Sequence, residues 1–275
     1  MIYDDTVASA VRTVRKGTRD GANAFELNLP RLGYPPPEGL VPIFQATDRP
    51  IFTSCRRAPF TDVYGPSPHL PREMPDDERM VRQLDALAYG SAGIDMELDT
   101  FDPHPAPVPG SPEMLTLSRS PGPPAEVTEQ PAAIGRQRAI IDQVHTAGGE
   151  VVMSCHAARV LSRADAMRIA ALMTSRGADL VKIVGVTRAC EHVVDLLGTT
   201  LALKAVTHVP FSMMSVGGAS RIGRFLGPMF GSSWAFGQAR RSPGGFDQMP
   251  LVRELRAAFG AIGGPQPGAA EERLS

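Results

Sequence analysis

Lysine is scarce in this sequence of 275 residues. Lys16, Lys182 and Lys204 are its only lysines, and all its other basic residues are arginines. A bias of this kind is typical of genome composition. A lysine that persists inside an apolar strand therefore indicates a need for an amine, because arginine does not deprotonate in proteins and cannot act as a nucleophile.

Other features are also missing. The formal net charge is −1, which gives no reason to expect nucleic acid or an anionic membrane as a partner. No apolar run approaches the roughly 18 residues that span a bilayer, and the first residues lack the basic and apolar regions of a signal peptide. The sequence thus predicts a soluble cytoplasmic protein. Cys55, Cys155 and Cys190 are odd in number and lack CxxC spacing, which predicts buried thiols and no metal site.

Short apolar runs alternate with helix-patterned segments, and this alternation predicts a parallel α/β fold. The predicted strands are Ala24–Leu29, Ile51–Cys55, Gly93–Leu98, Glu150–Cys155, Leu180–Val186, Pro210–Val216 and Ser232–Phe236. The predicted helices are Asp5–Lys16, Asp76–Tyr89, Gly135–Ala147, Arg163–Arg176 (capped by Ser162), Ala189–Leu197, Leu251–Phe259 and a short one at Ser220–Leu226. A barrel should have eight strands and begin with one, whereas here seven are predicted and a helix comes first. Three interpretations stay open: the sequence begins too late, the barrel has a missing or truncated first strand, or another segment closes it.

Two proline-rich stretches interrupt the pattern near 61–74 and 101–131. Their proline density predicts neither regular helix nor central strand. Because both follow strands, each is either a disordered insertion or a substrate lid on the catalytic face of a barrel. The sequence thus predicts a single domain over residues 1–262 and a disordered tail over 263–275.

The residues with the most specific chemistry stand at strand ends. Lys182 lies in the apolar strand Leu180–Val186, where an amine with a depressed pKa could attack a carbonyl; the alternative is a lysine that reaches solvent from the strand end. His156 ends the preceding strand and could act as an acid or a base, or be a structural histidine.

Polar residues on two further segments fit the same site. Asp95 and Glu97 alternate with Ile94, Met96 and Leu98, so both carboxylates share one strand face. Arg221 follows the glycine-rich turn at 217–218 and could hold a carboxylate. Lysine, histidine, paired carboxylates and arginine at successive strand ends predict a buried, charge-balanced site.

At these residues the chain resembles type I 3-dehydroquinate dehydratase, a (β/α)8 barrel. The resemblance runs from about residue 25 to residue 248 and is most specific at residues 94–98, 154–156, 181–183 and 213–237. It implies a lyase of the shikimate pathway that acts on a small carboxylated ketone through an imine, with no cofactor. It also implies a possible homodimer.

The resemblance also implies residue roles. Lys182 would form the imine, His156 would move protons at the adjacent carbon, and Arg221 would hold the substrate carboxylate. The other implied substrate contacts are Arg56 (with Arg57 as the alternative), the hydroxyl-binding Glu26, and Ser242 on a closing loop. Asp95 and Glu97 complete the predicted substrate-binding set.

Several positions depart from the family pattern. Asn28 stands where an arginine is usual, Phe60 where a histidine-orienting glutamate is usual, and Gly245 where a glutamine is usual, although Gln248 could substitute. Three interpretations stay open. The first is dehydration of 3-dehydroquinate, with Asp95 or Glu97 orienting the histidine. The second is a Schiff-base dehydratase or aldolase of specialised metabolism that takes another ketone, and the third is a non-catalytic ligand-sensing barrel.

Overall fold

A computed structural model of the protein describes residues 1–56, 69, 74–107, 112–120, 122–241 and 247–263. Over these ranges the strands are β1 (Phe25–Asn28), β2 (Ile51–Ser54), β3 (Gly93–Glu97), β4 (Glu150–His156), β5 (Leu180–Val186) and β6 (Phe211–Val216). The α-helices are α1 (Val7–Asp20), α2 (Val41–Phe44), α3 (Asp76–Leu87), α4 (Pro112–Arg119), α5 (Pro131–Thr146), α6 (Arg163–Arg176), α7 (Cys190–Lys204), α8 (Ser220–Phe230) and α9 (Val252–Ala261). Short 3-10 helices cover Pro30–Leu32 and Pro37–Leu40.

The six strands form one parallel sheet in sequence order, from β1 to β6. Helices separate most neighbouring strands, as parallel pairing requires. The sheet is curled, because the side chain of Lys182 on β5 reaches Glu26 on β1, at the far side of the sheet. This arrangement confirms the predicted (β/α)8-type barrel with an incomplete first strand.

The position before β1 in the barrel is occupied by a single residue. Ile2 forms an isolated parallel bridge with Leu27: its N–H donates to the Glu26 carbonyl, and its own carbonyl accepts from Asn28 N–H. The Met1 ammonium then donates to the Gly237 carbonyl at 3.0 Å. Residues 1–2 therefore link β1 to the segment that follows α8.

The prediction of a seventh strand at Ser232–Phe236 is wrong. Ser233 N–H still donates to the Phe211 carbonyl, but serine hydroxyls make the other contacts with β6. Ser232 Oγ accepts from Met213 N–H at 3.1 Å, and Ser233 Oγ accepts from Phe211 N–H at 3.2 Å. Side-chain hydroxyls that bond backbone groups replace a strand ladder, so this segment covers the edge of β6 without being a strand.

The other predicted strands and helices are confirmed: β5 and α6 match their predicted bounds, and the rest have shifted ends. Ser162 caps α6 as predicted, since its hydroxyl accepts from Asp165 N–H. Gly177 ends the helix in the left-handed region, at φ 103°, which glycine adopts without a Cβ penalty. Local sequence signals thus set both ends of this helix.

The prediction that the stretch 101–131 holds no regular helix is wrong. Helix α4 lies within it and begins at Pro112. Proline fits the first position of a helix because the N–H it lacks has no intrahelical acceptor there. The other proline-rich stretch, 61–74, falls outside the described residues except for residues 69 and 74. The predicted tail also falls outside them except for Gly263, so the single-domain prediction stays a prediction.

The two faces of β3 show how the core and the site are separated. Ile94, Met96 and Leu98 are fully buried in the main apolar cluster beneath the helices, while Asp95 and Glu97 point to the barrel interior. A second apolar cluster packs α1 and residues 29–44 against β1. The period of two in the strand thus directs carbon to the helices and carboxylates to the barrel centre.

The cysteines only partly follow their prediction. Cys55 and Cys155 are buried free thiols, whereas Cys190 is exposed at the start of α7, so its predicted burial is wrong. No group of metal-ligating side chains occurs among the described residues. Within the same residues, no helix is both long and apolar enough to cross a lipid bilayer.

We expect Gly93→Ala to destabilise the barrel by about 1–3 kcal/mol, the usual cost of overpacking. A Cβ at this position would collide with the backbone carbonyl oxygen of Glu150 on β4 and with the Phe52 ring. Urea unfolding measures the free energy of unfolding.

The matched control is Gly135→Ala in α5, where a new Cβ would meet no atom within 4 Å. Alanine should stabilise this helix by about 0.5–1 kcal/mol. Equal effects of the two substitutions would contradict the steric argument for Gly93.

Candidate active site

Lys182 lies near the middle of β5 and is 3% exposed. Its Nζ donates to Glu26 Oε2 and to Asp95 Oδ2, both at 2.8 Å. The Phe236 ring lies over the ammonium group, with its centroid 4.7 Å from Nζ. The lysine therefore does not reach solvent from the strand end, and two carboxylates offset the cost of burying its charge.

Arg56 follows β2 and is buried against the Asp95 carboxylate. Its Nη2 donates to Asp95 Oδ2 at 2.7 Å, and its Nη1 donates to Ser154 Oγ at 2.9 Å. Ser154 Oγ in turn donates to Asp95 Oδ1 at 2.6 Å. Burial raises the pKa of Asp95, but the charges of Arg56 and Lys182 and the hydrogen bonds outweigh it and hold that pKa below its usual value.

Glu97 lies between two arginines. Its Oε1 is 3.4 Å from Arg56 Nη1, and its Oε2 accepts from Arg79 Nη1 at 2.7 Å. Arg79, from α3, also binds Asp76 at 2.6 Å and the carbonyl of Cys55 at 2.6 Å. These bonds tie α3 to the ends of β2 and β3, so Glu97 has a structural role in addition to any contact with substrate.

His156 ends β4, with its ring beside Arg56. The Nδ1 atom is 3.3 Å from Arg56 Nη1. Burial lowers the pKa of His156 well below its usual value, and the positive charges of Arg56, Lys182 and Arg224 lower it further. The imidazole is therefore neutral near pH 7.

Arg221 lies outside this cluster. Its Nη2 binds Glu254 on α9 at 2.7 Å, its Nη1 donates to the Asp247 carbonyl, and its side chain is 36% exposed. Ser242, Arg57, Phe60 and Gly245 lie outside the described residues. The structure thus brings together Lys182, His156, Arg56, Glu26, Asp95 and Glu97, and it does not bring Arg221 to them.

Arg224 is a buried cation that the sequence analysis missed. It is 5% exposed, and it donates to the Ser215 carbonyl at 3.1 Å and to Met214 Sδ at 3.6 Å. The signal was present in the helix period. The buried stripe of α8 consists of Ser220, Gly223, Arg224 and Gly227, which are spaced at i, i+3, i+4 and i+7. Arg221 is not on this stripe, whereas Arg224 shares it with small residues.

Asn28, which departs from the family pattern, and Gln248, which could substitute for the missing glutamine, are both held by bonds to the backbone. Asn28 is 3% exposed, and its Oδ1 accepts from Arg31 N–H at 3.0 Å. Gln248 Oε1 accepts from Gly217 N–H at 2.8 Å and from Ser220 Oγ at 2.9 Å. The Asn28 amide thus supports the local backbone, and Gln248 holds the glycine-rich turn to the start of α8.

Comparisons with known proteins match part of the chain to one family. The family model for type I 3-dehydroquinase matches residues 126–264, about half of the chain. Over 102 residues the chain is 34% identical to a 3-dehydroquinate dehydratase of Klebsiella pneumoniae, covering 36% of this chain and 41% of that protein. Over 120 residues it is 32% identical to one of Listeria monocytogenes, covering 42% and 46%. The chain thus spans less than half the length of the curated relatives it matches.

Solved structures show the same fold. The type I 3-dehydroquinate dehydratase of Clostridium difficile, solved with covalently modified comenic acid, has a TM-score of 0.71 and 16% identity, covering 95% of this chain and 90% of that one. The 3-dehydroquinate dehydratase of Geobacillus kaustophilus has a TM-score of 0.69 and 16% identity, covering 95% and 89%. At this identity the likeness establishes the barrel fold alone.

We expect the depressed pKa of His156 to make the fold less stable in acid. As the pH falls through the ordinary histidine value of 6.5, the unfolded chain takes up a proton that the folded chain does not. The free energy of unfolding contributed by His156 is therefore fully present above this pH. It falls by up to about 1.4 kcal/mol per pH unit below it.

Urea unfolding between about pH 5 and pH 7 measures this slope. His156→Gln should remove the contribution and flatten the curve relative to the native chain. The matched change at an exposed histidine, His104→Gln, provides the control. An unchanged slope in His156→Gln would show that the ring titrates alike in the folded and unfolded chains.

Proposed function

We propose that this chain, which belongs to the type I 3-dehydroquinase family, is a carbon–oxygen lyase that dehydrates 3-dehydroquinate or a related cyclic ketoacid through an imine on Lys182. A protonated imine withdraws electrons from the adjacent carbon, so the reaction it supports needs no further electron sink. The cytoplasmic location, the homodimer and the shikimate pathway stay predictions that accompany this proposal.

The observation that carries the proposal is the placement of Lys182. Its amine lies inside the barrel with two carboxylate partners at 2.8 Å. Replacing a buried ion pair by well-packed apolar side chains is often neutral or stabilising, so stability alone does not explain a lysine at this position. An interior amine with proton acceptors in contact is what attack on a carbonyl requires.

One of the two carboxylates must take the proton that Lys182 loses before it attacks. Asp95 is the weaker acceptor, since Arg56, Lys182 and Ser154 all bind it and its pKa is depressed. Glu26 Oε2 accepts from the same amine at 2.8 Å. Its other oxygen is 3.9 Å from Arg56 Nη2, whereas Asp95 lies 2.7 Å from that nitrogen. We therefore assign proton removal from Lys182 to Glu26 and leave Asp95 as the permanent counter-ion.

The remaining steps follow from the chemistry of an imine. The neutral amine forms a C–N bond to the ketone carbon, and the ketone oxygen leaves as water. His156 moves a proton from the carbon next to the imine, and a hydroxyl group on the following carbon departs as a second water. Hydrolysis of the imine consumes one water and returns Lys182, so the net change is the loss of one water.

The substrate carboxylate needs a cation close to Lys182. Arg56 and Arg224 are the buried guanidinium groups whose charges act on His156, and both fit this role. Arg221 would have to leave Glu254 to take part. Glu97, Ser242 and Arg221 remain proposed substrate contacts.

A second candidate is the same imine chemistry on another carboxylated ketone. The family pattern places an arginine where Asn28 stands, and the Asn28 amide here is bound to the backbone. Losing a hydrogen-bonding partner from a polar site costs about 1–3 kcal/mol. Weaker recognition of 3-dehydroquinate at this position favours a substrate with a different arrangement of hydroxyl groups.

The test is to incubate the purified protein with 3-dehydroquinate, follow the absorbance of dehydroshikimate, then add borohydride and weigh the intact protein. Turnover with an adduct on Lys182 supports dehydration of this substrate. An adduct without turnover supports the second candidate. If neither appears with a panel of ketoacids, the imine proposal is wrong and a non-catalytic barrel is favoured.

We expect Lys182→Ala to abolish the borohydride adduct, because the variant has no amine at the barrel centre. Mass spectrometry of the intact protein reads the result. The matched control is Lys204→Ala at the exposed last residue of α7, which should trap ligand like the native chain. An adduct that persists in Lys182→Ala would assign the chemistry to another residue.

We expect Glu26→Gln to slow imine formation by about 10²–10⁴-fold, the usual contribution of a general base. The amide keeps the shape of the side chain but cannot take the proton of Lys182. Quenching with borohydride at successive times gives the trapping rate. The loss should become smaller as the pH rises toward that at which the amine deprotonates unaided; a trapping rate equal to the native one at neutral pH would transfer the role to Asp95.

A further inference from the structure

The contact between Arg56 and His156 restricts where the imidazole can carry its proton. Arg56 Nη1 lies 3.3 Å from His156 Nδ1. A guanidinium group has only donors, and it stays protonated in proteins. In this contact Nδ1 is therefore the acceptor, and the single ring proton of a neutral imidazole is on Nε2.

The surroundings keep both partners in this state. Arg56 is held by Asp95 at 2.7 Å and by Ser154 at 2.9 Å, so its guanidinium plane is fixed by groups other than the histidine. The charges of three cations on different elements lower the pKa of the ring: Arg56 after β2, Lys182 on β5 and Arg224 on α8. Their charges oppose a second proton on the imidazole.

We infer that Arg56 is a positioning residue that holds His156 as the neutral tautomer with its proton on Nε2, so that His156 first meets the substrate as a hydrogen-bond donor to the ketone oxygen. The inference rests on the proposed function, since it names the role of His156 at that site. A neutral histidine that polarises a carbonyl is a known catalytic device.

This tautomer sets an order for the steps. A neutral imidazole has one basic lone pair, and here it lies on Nδ1, toward Arg56. While Lys182 adds to the ketone, the N–H on Nε2 stabilises the negative charge that develops on the oxygen. His156 removes a proton from carbon only after its contact with Arg56 is broken, because until then Nδ1 is occupied.

The direct test is nitrogen NMR of the ligand-free protein with ¹⁵N-labelled histidine. The chain has six histidines, and signals lost in His156→Gln assign those of His156. We expect a protonated Nε2 and an unprotonated Nδ1 near neutral pH. A proton on Nδ1, or on both nitrogens, would overturn the inference.

A pair of variants tests whether Arg56 is the cause. Arg56→Met removes the donor, and the tautomer ratio should shift toward Nδ1–H by about tenfold, which corresponds to the loss of one hydrogen bond. Arg79→Met is the matched control, because it removes another buried arginine of the same cluster whose bonds go to Glu97, Asp76 and Cys55. A shift in both variants, or in neither, contradicts the assignment to Arg56.

If Arg56→Met does not fold, Arg56→Lys replaces it. Lysine has a single ammonium group, which should bind Asp95 and therefore no longer donate to His156 Nδ1. The same shift is expected, and its absence has the same meaning.

The NMR measurement needs no substrate, so its result is independent of the borohydride test. If trapping fails while the tautomer is as stated, the proposed function is lost and the positioning role of Arg56 stands. If trapping succeeds while Nδ1 is protonated, the imine proposal stands and this inference is lost.

Discussion

The arrangement of the site depends on one buried carboxylate, that of Asp95. Its two oxygens bind Arg56, Lys182 and Ser154, which lie at the end of β2, on β5 and on β4. The charged groups would be costly to bury alone. Removing one partner of a buried ion pair destabilises a protein by about 3–5 kcal/mol, because the other charge is left uncompensated. The ionic contacts therefore hold four neighbouring strands at their interior face while the apolar clusters hold the outer face.

A charged interior is compatible with the fold because the strand period separates it from the core. Ile94 and Met96 are fully buried toward the helices, on either side of Asp95 in the sequence. The closure of the barrel is less regular than its centre. Ile2 supplies one bridge to β1, and the serines after α8 contact β6 through their hydroxyls. These two weakly paired positions are neighbours, because the Met1 ammonium donates to the Gly237 carbonyl.

The same cluster divides the chemical roles. Lys182 is accompanied by carboxylates that can take its proton, whereas His156 is accompanied by cations that keep it neutral. The two groups lie close enough to act on one substrate and differ in protonation because their neighbours differ in sign. Asn28 and Gln248, in contrast, are bound to backbone groups, so recognition of the rest of the substrate has to come from other residues.

The sequence by itself determined the strands that carry the site and the face on which each side chain lies. Alternation with period two placed Asp95 and Glu97 together, the apolar run around Lys182 marked its strand, and Ser162 marked the start of α6. These signals are local, so they survive in a sequence without an alignment. The serine-rich segment after α8 was the exception, because its apolar pattern resembles a strand while its hydroxyls take the backbone bonds.

Only the tertiary structure decided which partners meet across the barrel. Glu26 reaches Lys182 from 156 residues away, and Arg56 reaches His156 from 100 residues away. Arg224 turns to the interior and Arg221 to Glu254, although both lie on α8. The physical reason is that the curl of the sheet decides which strands face each other across the barrel, and this curl is not encoded in the spacing of residues along one element. The spacing within α8 indicates which of its faces is buried, but not which partners its arginines meet.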